Sequence, residues 1–370
     1  MYTEMFEEPD LASADQIRKV LSDAASAVPG HGFSTRFLVS EWTEVVDARR
    51  IKTWEEYRDV PRLGRKTRIG GKQRQVLWSI FEKVLETLDE QGLVTWPAVF
   101  ERVGNLLTMI VQRPFDFAVV DEAQDIGVPE LKFLASIGKR RPDALYFSGD
   151  LGQRIFQQPF SWKALGVDIR GRSNSLKINY RTSHQIRKQA DLLLPQSLAD
   201  VDGNTEKRGG AISVFNGPPP LIDVFYDADE ESREVGAWLA ERLSDGVEPH
   251  EIGVFVRAMD QLPRAMSAIK SAGANPARLD GESEPSKNCI AAGIMHLAKG
   301  LEFKTIAVMA CDDEVIPFQK RIESVTDESD LEEVYNTERH LLYVACTRAR
   351  DHLLITGVDP GSEFLDDMVV

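Results

Sequence analysis

The sequence predicts an α/β protein with parallel sheets, preceded by a mainly helical region. Two short apolar runs, residues 117–120 and Leu145–Phe147, each end in polar residues, as buried parallel strands do beside a ligand crevice. In the second half of the chain, short apolar runs alternate with longer stretches of helical periodicity, which is typical of βαβ units. These observations predict two parallel-sheet lobes that follow a helical region.

The first 110 residues or so are predicted to be mainly helical. One stretch has apolar side chains at intervals of three and four residues, which places them on one face of a helix, and Gly92 is expected to end that helix. We expect this face to be buried in a helical core. Its apolar positions are Leu77, Ile80, Phe81, Val84, Leu85 and Leu88.

The second half of the chain is predicted to form another parallel lobe. A stretch rich in glycine and proline, residues 200–220, interrupts it and is expected to be a loop. The sequence shows no internal repeat and no low-complexity tract. The predicted strands are Ile252–Val256, 306–309 and 353–356, and the predicted helices are 231–243 and 332–347.

Composition indicates an ordinary globular protein. With 370 residues, 42% of them hydrophobic and 28% charged, the chain is long enough for two or three domains. It has no run of about 18 apolar residues and no basic, apolar leader, so we expect a cytoplasmic protein without a membrane partner. Its three cysteines, Cys289, Cys311 and Cys346, match neither a zinc spacing nor a secreted disulfide framework, and we expect them to be reduced packing residues.

A basic stripe, residues 49–74, contrasts with the acidic composition of the chain. The formal net charge is −15, yet the stripe holds ten cations and three acids. Because salt screens charges beyond about 8 Å at physiological ionic strength, the stripe can bind phosphates despite acidic surface elsewhere. Arg62, Arg65 and Arg68 stand among glycines and a proline, which predicts an exposed loop that follows a nucleic-acid backbone. A solvated basic face without a ligand is the alternative.

Two adjacent acids, Asp121 and Glu122, follow the first predicted strand. A nucleotide hydrolase needs one carboxylate near Mg²⁺ and a second near the attacking water, and the end of a buried strand is a suitable place for both. Paired acids are also common at solvated strand ends. Other segments of the chain decide between these two interpretations.

Four segments follow the acidic pair in order: residues 148–156 (SGDLGQRIF), 176–182 (LKINYRT), 296–303 (HLAKGLEF) and 343–349 (YVACTRA). Together with residues 121–125 (DEAQD), they resemble motifs II to VI of the superfamily 1 helicases of the UvrD, Rep and PcrA type. The resemblance extends over about two thirds of the chain, from residue 115 to residue 357. It implies two RecA-like lobes, of which the first is incomplete here, and a helical accessory subdomain.

The resemblance further implies a site for ATP and Mg²⁺. By likeness to the family, Asp121 would hold Mg²⁺ and Glu122 would polarise the water that attacks the γ-phosphate. Gln153 would sense the γ-phosphate and link it to bound DNA. Arg181 and Arg348 would contact the γ-phosphate from the second lobe, which couples hydrolysis to lobe motion because the arginines act only when the lobes close.

The nucleoside part of ATP has its own expected contacts. The resemblance implies that Tyr180 stacks on the adenine, that Glu302 approaches the ribose and that Gly300 belongs to the same nucleotide site. Arg181 alone would be an ordinary surface arginine. Its place in the Asn-Tyr-Arg-Thr segment favours the nucleotide role.

Single-stranded DNA is the partner that the resemblance implies. Phe156, Phe160 and Trp162 follow the third motif, where the family places aromatic side chains against bases, and such stacking tolerates any base sequence. An aromatic cluster of the protein core is the alternative. His296 and Lys299 are expected to contact the DNA backbone.

One element of the family is missing from these 370 residues. No G-x-x-x-x-G-K-[ST] loop precedes Asp121, and the nearest approach, Gly71-Lys72, lacks the first glycine and has Gln73 in place of Ser or Thr. A motor needs such a loop, because its backbone amides and its lysine bind the β- and γ-phosphates. We therefore expect the chain to begin after the phosphate loop and to hydrolyse ATP very poorly alone.

Three regions are expected: a helical accessory region at 1–110, a partial first lobe at 111–175, and a second lobe at 176–370 with a minimal insertion or none. Two functions agree with them. The first is part of an ATP-dependent DNA helicase or translocase, moving 3′ to 5′ by resemblance and acting in repair or recombination, whose phosphate loop lies in a missing amino-terminal segment. The second is an ATPase-inactive DNA-binding or regulatory subunit that a partner chain completes. The acids and arginines of the motifs favour the first.

Overall fold

The computed structural model divides the chain into two compact units. Unit 1 comprises residues 1–150, 156–173 and 200–204, and unit 2 comprises residues 151–155, 174–199 and 205–370. Arg62, Arg65, Arg68 and Phe156 lie outside the described residues. The structure describes residues 8–60, 69–110, 114–138, 143–150, 153, 160–199, 202–203, 205–207, 212–280, 286–323 and 328–369.

Unit 1 is mainly helical. Its helices are α1 (Ala14–Ser26), α2 (Thr35–Glu41), α3 (Trp54–Asp59), α4 (Gly71–Glu90), α5 (Trp96–Met109) and α6 (Val128–Gly138), with a π-helical stretch at Trp42–Asp47 and 3-10 turns at Ala123–Asp125 and Lys163–Leu165. Two parallel strand pairs accompany the helices: β1 (Asp10–Leu11) with β2 (Leu93–Val94), and β3 (Ala118–Val120) with β4 (Leu145–Phe147).

Helix α4 confirms the predicted amphipathic helix. Leu77, Ile80, Phe81 and Val84 are fully buried in the helical core of unit 1. The helix ends at Glu90, and Gly92 has a φ of 67°, a left-handed conformation that glycine adopts without a steric cost. The sequence pattern thus identified both the buried face and the end of this helix.

The strand prediction at 117–120 is right in position but wrong in burial. Strand β3 pairs with β4 and helix α6 packs against both, yet Val119 is 77% exposed and its register partner Tyr146 is 64% exposed. A parallel strand is buried on both faces only where layers cover both of them. The described part of unit 1 covers one face of this two-stranded sheet.

Unit 2 contains a six-stranded parallel sheet. Its strands are β9 (Leu221–Phe225), β10 (Ile252–Val256), β11 (Asn275–Arg278), β12 (Cys289–Ile294), β13 (Phe303–Met309) and β14 (Ala349–Val358), in the sheet order β11-β12-β10-β13-β14-β9. Two smaller sheets pair β5 (Ile178–Asn179) with β8 (Ile212–Ser213) in parallel and β6 (Ser197–Ala199) with β7 (Thr205–Lys207) antiparallel. The helices are α7 (His184–Ala190), α8 (Ala228–Ser244), α9 (Leu262–Ser271), α10 (Gln319–Ile322), α11 (Glu328–Cys346) and α12 (Glu363–Met368).

Helices cover both faces of the large sheet. Phe255 of β10 joins a core formed with α7, α11 and α12, whereas Val254 and Val256 join a core formed with α8 and α9. All residues of β10 are buried, as the apolar run of a central parallel strand predicts. The predicted α/β class is confirmed, and the strands predicted at 306–309 and 353–356 lie within β13 and β14. Every helix of the described residues is too short or too polar to span a bilayer.

Two buried carboxylates connect the elements of unit 2. Glu231, on α8, accepts hydrogen bonds from the Arg264 guanidinium, from the backbone N–H of Ala310 at 2.9 Å and from the Thr356 hydroxyl at 2.7 Å. Glu338, on α11, accepts from Arg257 at 2.6 Å and from Arg321 at 3.0 Å. Each carboxylate is fully satisfied by groups from several elements, because an unpaired buried charge would be costly.

Candidate functional site

The acidic pair lies in unit 1, directly after β3. Asp121 accepts hydrogen bonds from the Ser148 hydroxyl and from the backbone N–H of Glu122, the latter at 2.9 Å. These bonds, that of Ser148 first, hold the pKa of Asp121 below its ordinary value. The carboxylate is therefore ionised and exposed, as a ligand of Mg²⁺ must be. Water and phosphate oxygens commonly complete the coordination sphere of this ion. The described residues contain no group of three or more His, Cys, Asp or Glu side chains that could hold a metal ion.

Glu122 is held in a left-handed conformation, with φ 51° and ψ 42°. Such a backbone costs a residue other than glycine about 1–3 kcal/mol and recurs at functional sites. The Glu122 carboxylate accepts a hydrogen bond from the Gln124 side chain, whose oxygen accepts from the backbone N–H of Asp150 at 3.0 Å. Gln124 therefore links the segments after β3 and β4, a role that the sequence analysis did not assign.

In unit 2, a cavity of about 460 Å³ brings together five residues predicted to contact the nucleotide. They come from four segments that are far apart in the chain: Gln153, Tyr180 with Arg181, Glu302, and Arg348. A cavity of this size is in the range of ligand sites, roughly 300–1,000 Å³. The other lining residues are Ile178, Asn179, Thr182, Arg187, Tyr343 and Thr347.

A hydrogen-bonded turn after β5 presents Tyr180 and Arg181 at the cavity. The Asn179 side-chain oxygen accepts from the backbone N–H of Arg181 at 2.8 Å and from that of Thr182 at 3.3 Å. Asparagine commonly stabilises turns by such bonds to the backbone two residues on. Tyr180 is 68% exposed, so its ring is accessible for stacking.

Arg348 is buried just after α11, with 1% of its surface exposed. Its Nε donates to the carbonyl of Val344 at 3.1 Å, and its Nη2 donates to the side-chain oxygen of Gln153 at 2.8 Å. Both contacts fix the orientation of the guanidinium at the cavity wall. A charge that is oriented before the ligand arrives is what electrostatic stabilisation of a transition state requires.

Arg181 and Glu302 form an ion pair within the cavity. Arg181 Nε lies 2.9 Å from Glu302 Oε2, and the two side chains are 46% and 47% exposed. Gly300, two residues before Glu302, has a φ of 79°, a conformation that favours glycine. The structure thus places Gly300 in the turn that leads to Glu302, though not among the residues that line the cavity.

Lys299 and His296, the predicted DNA contacts of unit 2, lie at the 3-10 turn Met295–Ala298. Lys299 Nζ donates at 2.8 Å to the backbone carbonyl of Gln153, the residue whose side chain contacts Arg348. His296 is half-buried, and burial, followed by the nearby Arg257, lowers its pKa to about 4. The imidazole is therefore neutral at pH 7, so it offers no positive charge to a DNA phosphate.

Trp162, a predicted base-stacking residue, lies in unit 1 and packs edge-on against Phe147 with ring centroids 4.9 Å apart. Trp162 and Phe147 are both half-buried, so the indole is neither a core residue nor fully exposed. Phe160, beside it in sequence, is also half-buried.

Several described cations of the basic stripe are paired within unit 1. Arg50 contacts Asp47 at 2.6 Å and Glu101 at 3.2 Å. Lys52 lies 3.0 Å from the same Glu101, and Arg58 lies 2.7 Å from its neighbour Asp59. The prediction of phosphate contacts therefore rests on Arg62, Arg65 and Arg68, outside the described residues.

The cavity also includes residues to which the sequence analysis gave no role. Arg187 projects from α7, pairs with Asp191 at 2.8 Å and places its guanidinium 5.9 Å from the ring centroid of Tyr343. Tyr343 and Thr347 belong to the last motif segment, so the sequence could have indicated that they lie at this site. Arg187 lies outside the motif segments, so nothing in the sequence indicated that it lines the cavity.

Comparison with known proteins relates part of unit 2 to DNA helicases. Residues 271–359 match the UvrD-like helicase C-terminal domain. The chain is 47% identical over 64 residues, 17% of its length, to the YjcD protein of Bacillus subtilis (strain 168). It is 37% identical over 82 residues, 22% of its length, to the ATP-dependent DNA helicase PcrA of the same organism.

These matches cover small parts of the relatives. They span 8% of YjcD and 10% of PcrA, well under two thirds of either protein. Among solved structures, the C-terminal domain of a possible DNA helicase from Lactobacillus plantarum WCFS1 is 20% identical with a TM-score of 0.36, over 51% of this chain and 94% of that domain.

Proposed function

Because residues 271–359 match the UvrD-like helicase C-terminal domain, the chain is related to UvrD/PcrA-type helicases, and we propose that it forms part of an ATP-dependent motor that moves on single-stranded DNA. The observation that carries the proposal is the cavity of unit 2, where four distant segments meet. An exposed tyrosine ring beside Arg181 and Arg348 suits a ligand with a planar base and several phosphates. Movement from 3′ to 5′ and a role in DNA repair or recombination are part of the same proposal.

The proposed reaction divides its groups between the units. Unit 2 supplies Tyr180 for the base and Arg181 and Arg348 for the phosphates, while unit 1 supplies Asp121 for Mg²⁺ and Glu122 for the attacking water. Mg²⁺, when bound, neutralises charge on the phosphate oxygens. Turnover depends on both sets of groups in this proposal.

The phosphate-binding loop is a further requirement of hydrolysis. Residues 1–370 contain no G-x-x-x-x-G-K-[ST] sequence, and we propose that another polypeptide segment supplies it. This sequence feature also favours a second function, an ATPase-inactive DNA-binding or regulatory subunit. One experiment distinguishes the two functions. Adding a segment that bears the phosphate-binding loop should restore ATP hydrolysis if the chain is part of a motor, and should not if the chain is an ATPase-inactive subunit.

Replacing Tyr180 with alanine is expected to weaken ATP binding about tenfold, since stacking on a base contributes ~1–3 kcal/mol. Binding of inorganic tripolyphosphate, which has no base, should not change. Isothermal titration calorimetry of the 370-residue chain at low salt measures both. Tyr226→Ala is the matched control, because Tyr226 is 84% exposed and lies outside the cavity. Equal effects of the two substitutions on ATP binding would contradict adenine stacking.

Replacing Arg62, Arg65 and Arg68 together with glutamate is expected to weaken binding of single-stranded DNA for every base sequence. Each lost phosphate contact should flatten the slope of log affinity against log salt by roughly 0.7, because fewer counterions are released. Fluorescence anisotropy over a salt series measures both quantities. His296→Asn is the control, since a neutral imidazole releases no counterion and its loss should leave the slope unchanged. An unaltered affinity and slope in the triple variant would identify the stripe as a solvated face.

A further inference from the structure

The Arg181–Glu302 ion pair joins a residue that the proposed function places on the phosphates to one that the motif resemblance places near the ribose. Arg181 Nε lies 2.9 Å from Glu302 Oε2, and both side chains line the cavity. A phosphate that contacts the Arg181 guanidinium meets a carboxylate already bound to it. The two anions compete for the same donor group, so binding of the phosphate exchanges one charge-assisted contact for another.

The charges around the cavity show which residue opposes the binding of a polyanion. Among the described residues that line it, Arg181, Arg187 and Arg348 are cations and Glu302 is the single acid. Asp191, which pairs with Arg187, does not line the cavity. Among the described lining residues, Glu302 is therefore the carboxylate that opposes a polyanion, and it does so at Arg181.

We propose that Glu302 is a positioning residue that holds Arg181 at the wall of the cavity and is displaced from Arg181 by a polyphosphate. This inference rests on the proposed nucleotide function of the cavity and assigns Glu302 a contact that precedes any contact with ribose. Replacing the carboxylate by a phosphate at Arg181 has a modest effect on the affinity for polyphosphate, because both side chains of the ion pair are about half exposed. Ion pairs of this kind change an equilibrium by about 1.5- to 5-fold.

Inorganic tripolyphosphate is the probe that isolates this effect, since it carries the phosphates of ATP without ribose or base. Titrated into the 370-residue chain by calorimetry, it should bind about 1.5- to 5-fold more tightly to Glu302→Gln than to the wild type. It should bind more weakly to Arg181→Ala. In the Arg181→Ala background, Glu302→Gln should have no further effect, because the carboxylate acts through the guanidinium.

Glu234→Gln is the matched control. Glu234 pairs with Arg233 at 3.2 Å on α8, is 48% exposed and lies outside the cavity, so the same change of charge and shape should leave tripolyphosphate binding unaltered. Three results would each overturn the inference: unchanged or weaker tripolyphosphate binding by Glu302→Gln, an equal gain from Glu234→Gln, or a full gain from Glu302→Gln without Arg181. In all three cases, ATP binding weakened by Tyr180→Ala would leave the proposed function standing. Failure of the wild-type chain to bind either ligand would overturn both.

Discussion

Replacing Glu231 with alanine is expected to destabilise unit 2 by about 3–5 kcal/mol, because its fully buried carboxylate is both a partner in an ion pair and the acceptor of two further donors. The substitution removes the acceptor of the Thr356 hydroxyl and of the backbone N–H of Ala310, and it leaves Arg264 with Asp312 as its remaining carboxylate partner. Hydrogen exchange followed by mass spectrometry measures the loss locally, in peptides that cover β13 and β14. Protection of these peptides should fall while that of α4 in unit 1 is retained.

Two control substitutions separate the network from its surroundings. Thr356→Val removes one hydrogen bond of the network and should cost only about 1 kcal/mol. Glu234→Ala, on the exposed side of the same helix, should change stability by less than about 0.5 kcal/mol. If Glu231→Ala cost no more than Thr356→Val, the ion pair with Arg264 would contribute nothing to the fold.

Replacing Arg348 with alanine is expected to lower ATP turnover by about a thousandfold in a protein that also contains a phosphate-binding loop, since an arginine on the γ-phosphate contributes 10³ or more to phosphoryl transfer. The affinity for ATP should fall much less, because the guanidinium acts chiefly on charge that develops during the reaction. Steady-state phosphate release with excess single-stranded DNA gives the turnover, and equilibrium titration with ATP gives the affinity.

The comparison of the two losses is the test of this role. Equal losses in turnover and affinity would identify Arg348 as a simple binding residue. Arg350→Ala is a suitable control, because Arg350 lies two residues away, pairs with Asp351 at 2.7 Å and does not line the cavity. Since Arg348 is buried, circular dichroism must first show that the variant is folded. Without the loop, turnover of the wild-type chain itself should stay far below about 1 per second.

Predictions from sequence were most accurate where the residues of a single helix or strand are enough to show which side chains are buried. The face of α4 with Leu77 and Phe81 and the run Ile252–Val256 match the structure, because periodicity and apolar composition are local properties. Strand β3 shows the limit of this reasoning. Its apolar run resembles that of β10, but Val119 is exposed because burial depends on the layers that other segments provide.

The candidate site likewise has features that the sequence predicted and features that it could not predict. Motif segments identified Gln153, Tyr180, Arg181, Glu302 and Arg348 as one group, and the structure places all five around one cavity. The sequence could not show that Arg181 pairs with Glu302, because 120 positions separate them and neither type of residue specifies a partner. Nor could it show that burial makes His296 neutral at pH 7.

By itself, the sequence determined the α/β class and the positions of the main helices and strands, since both depend on neighbouring residues and on backbone periodicity. Only the tertiary structure decided which charges are buried and paired. Glu231 illustrates the reason: with Asp229 and Glu230 it lies in the first turn of α8, where any acid is favourable beside the helix dipole. It differs from Glu230 because Arg264, Ala310 and Thr356, up to 125 positions away, converge on its carboxylate. Such convergence is a property of packing, and no local pattern encodes it.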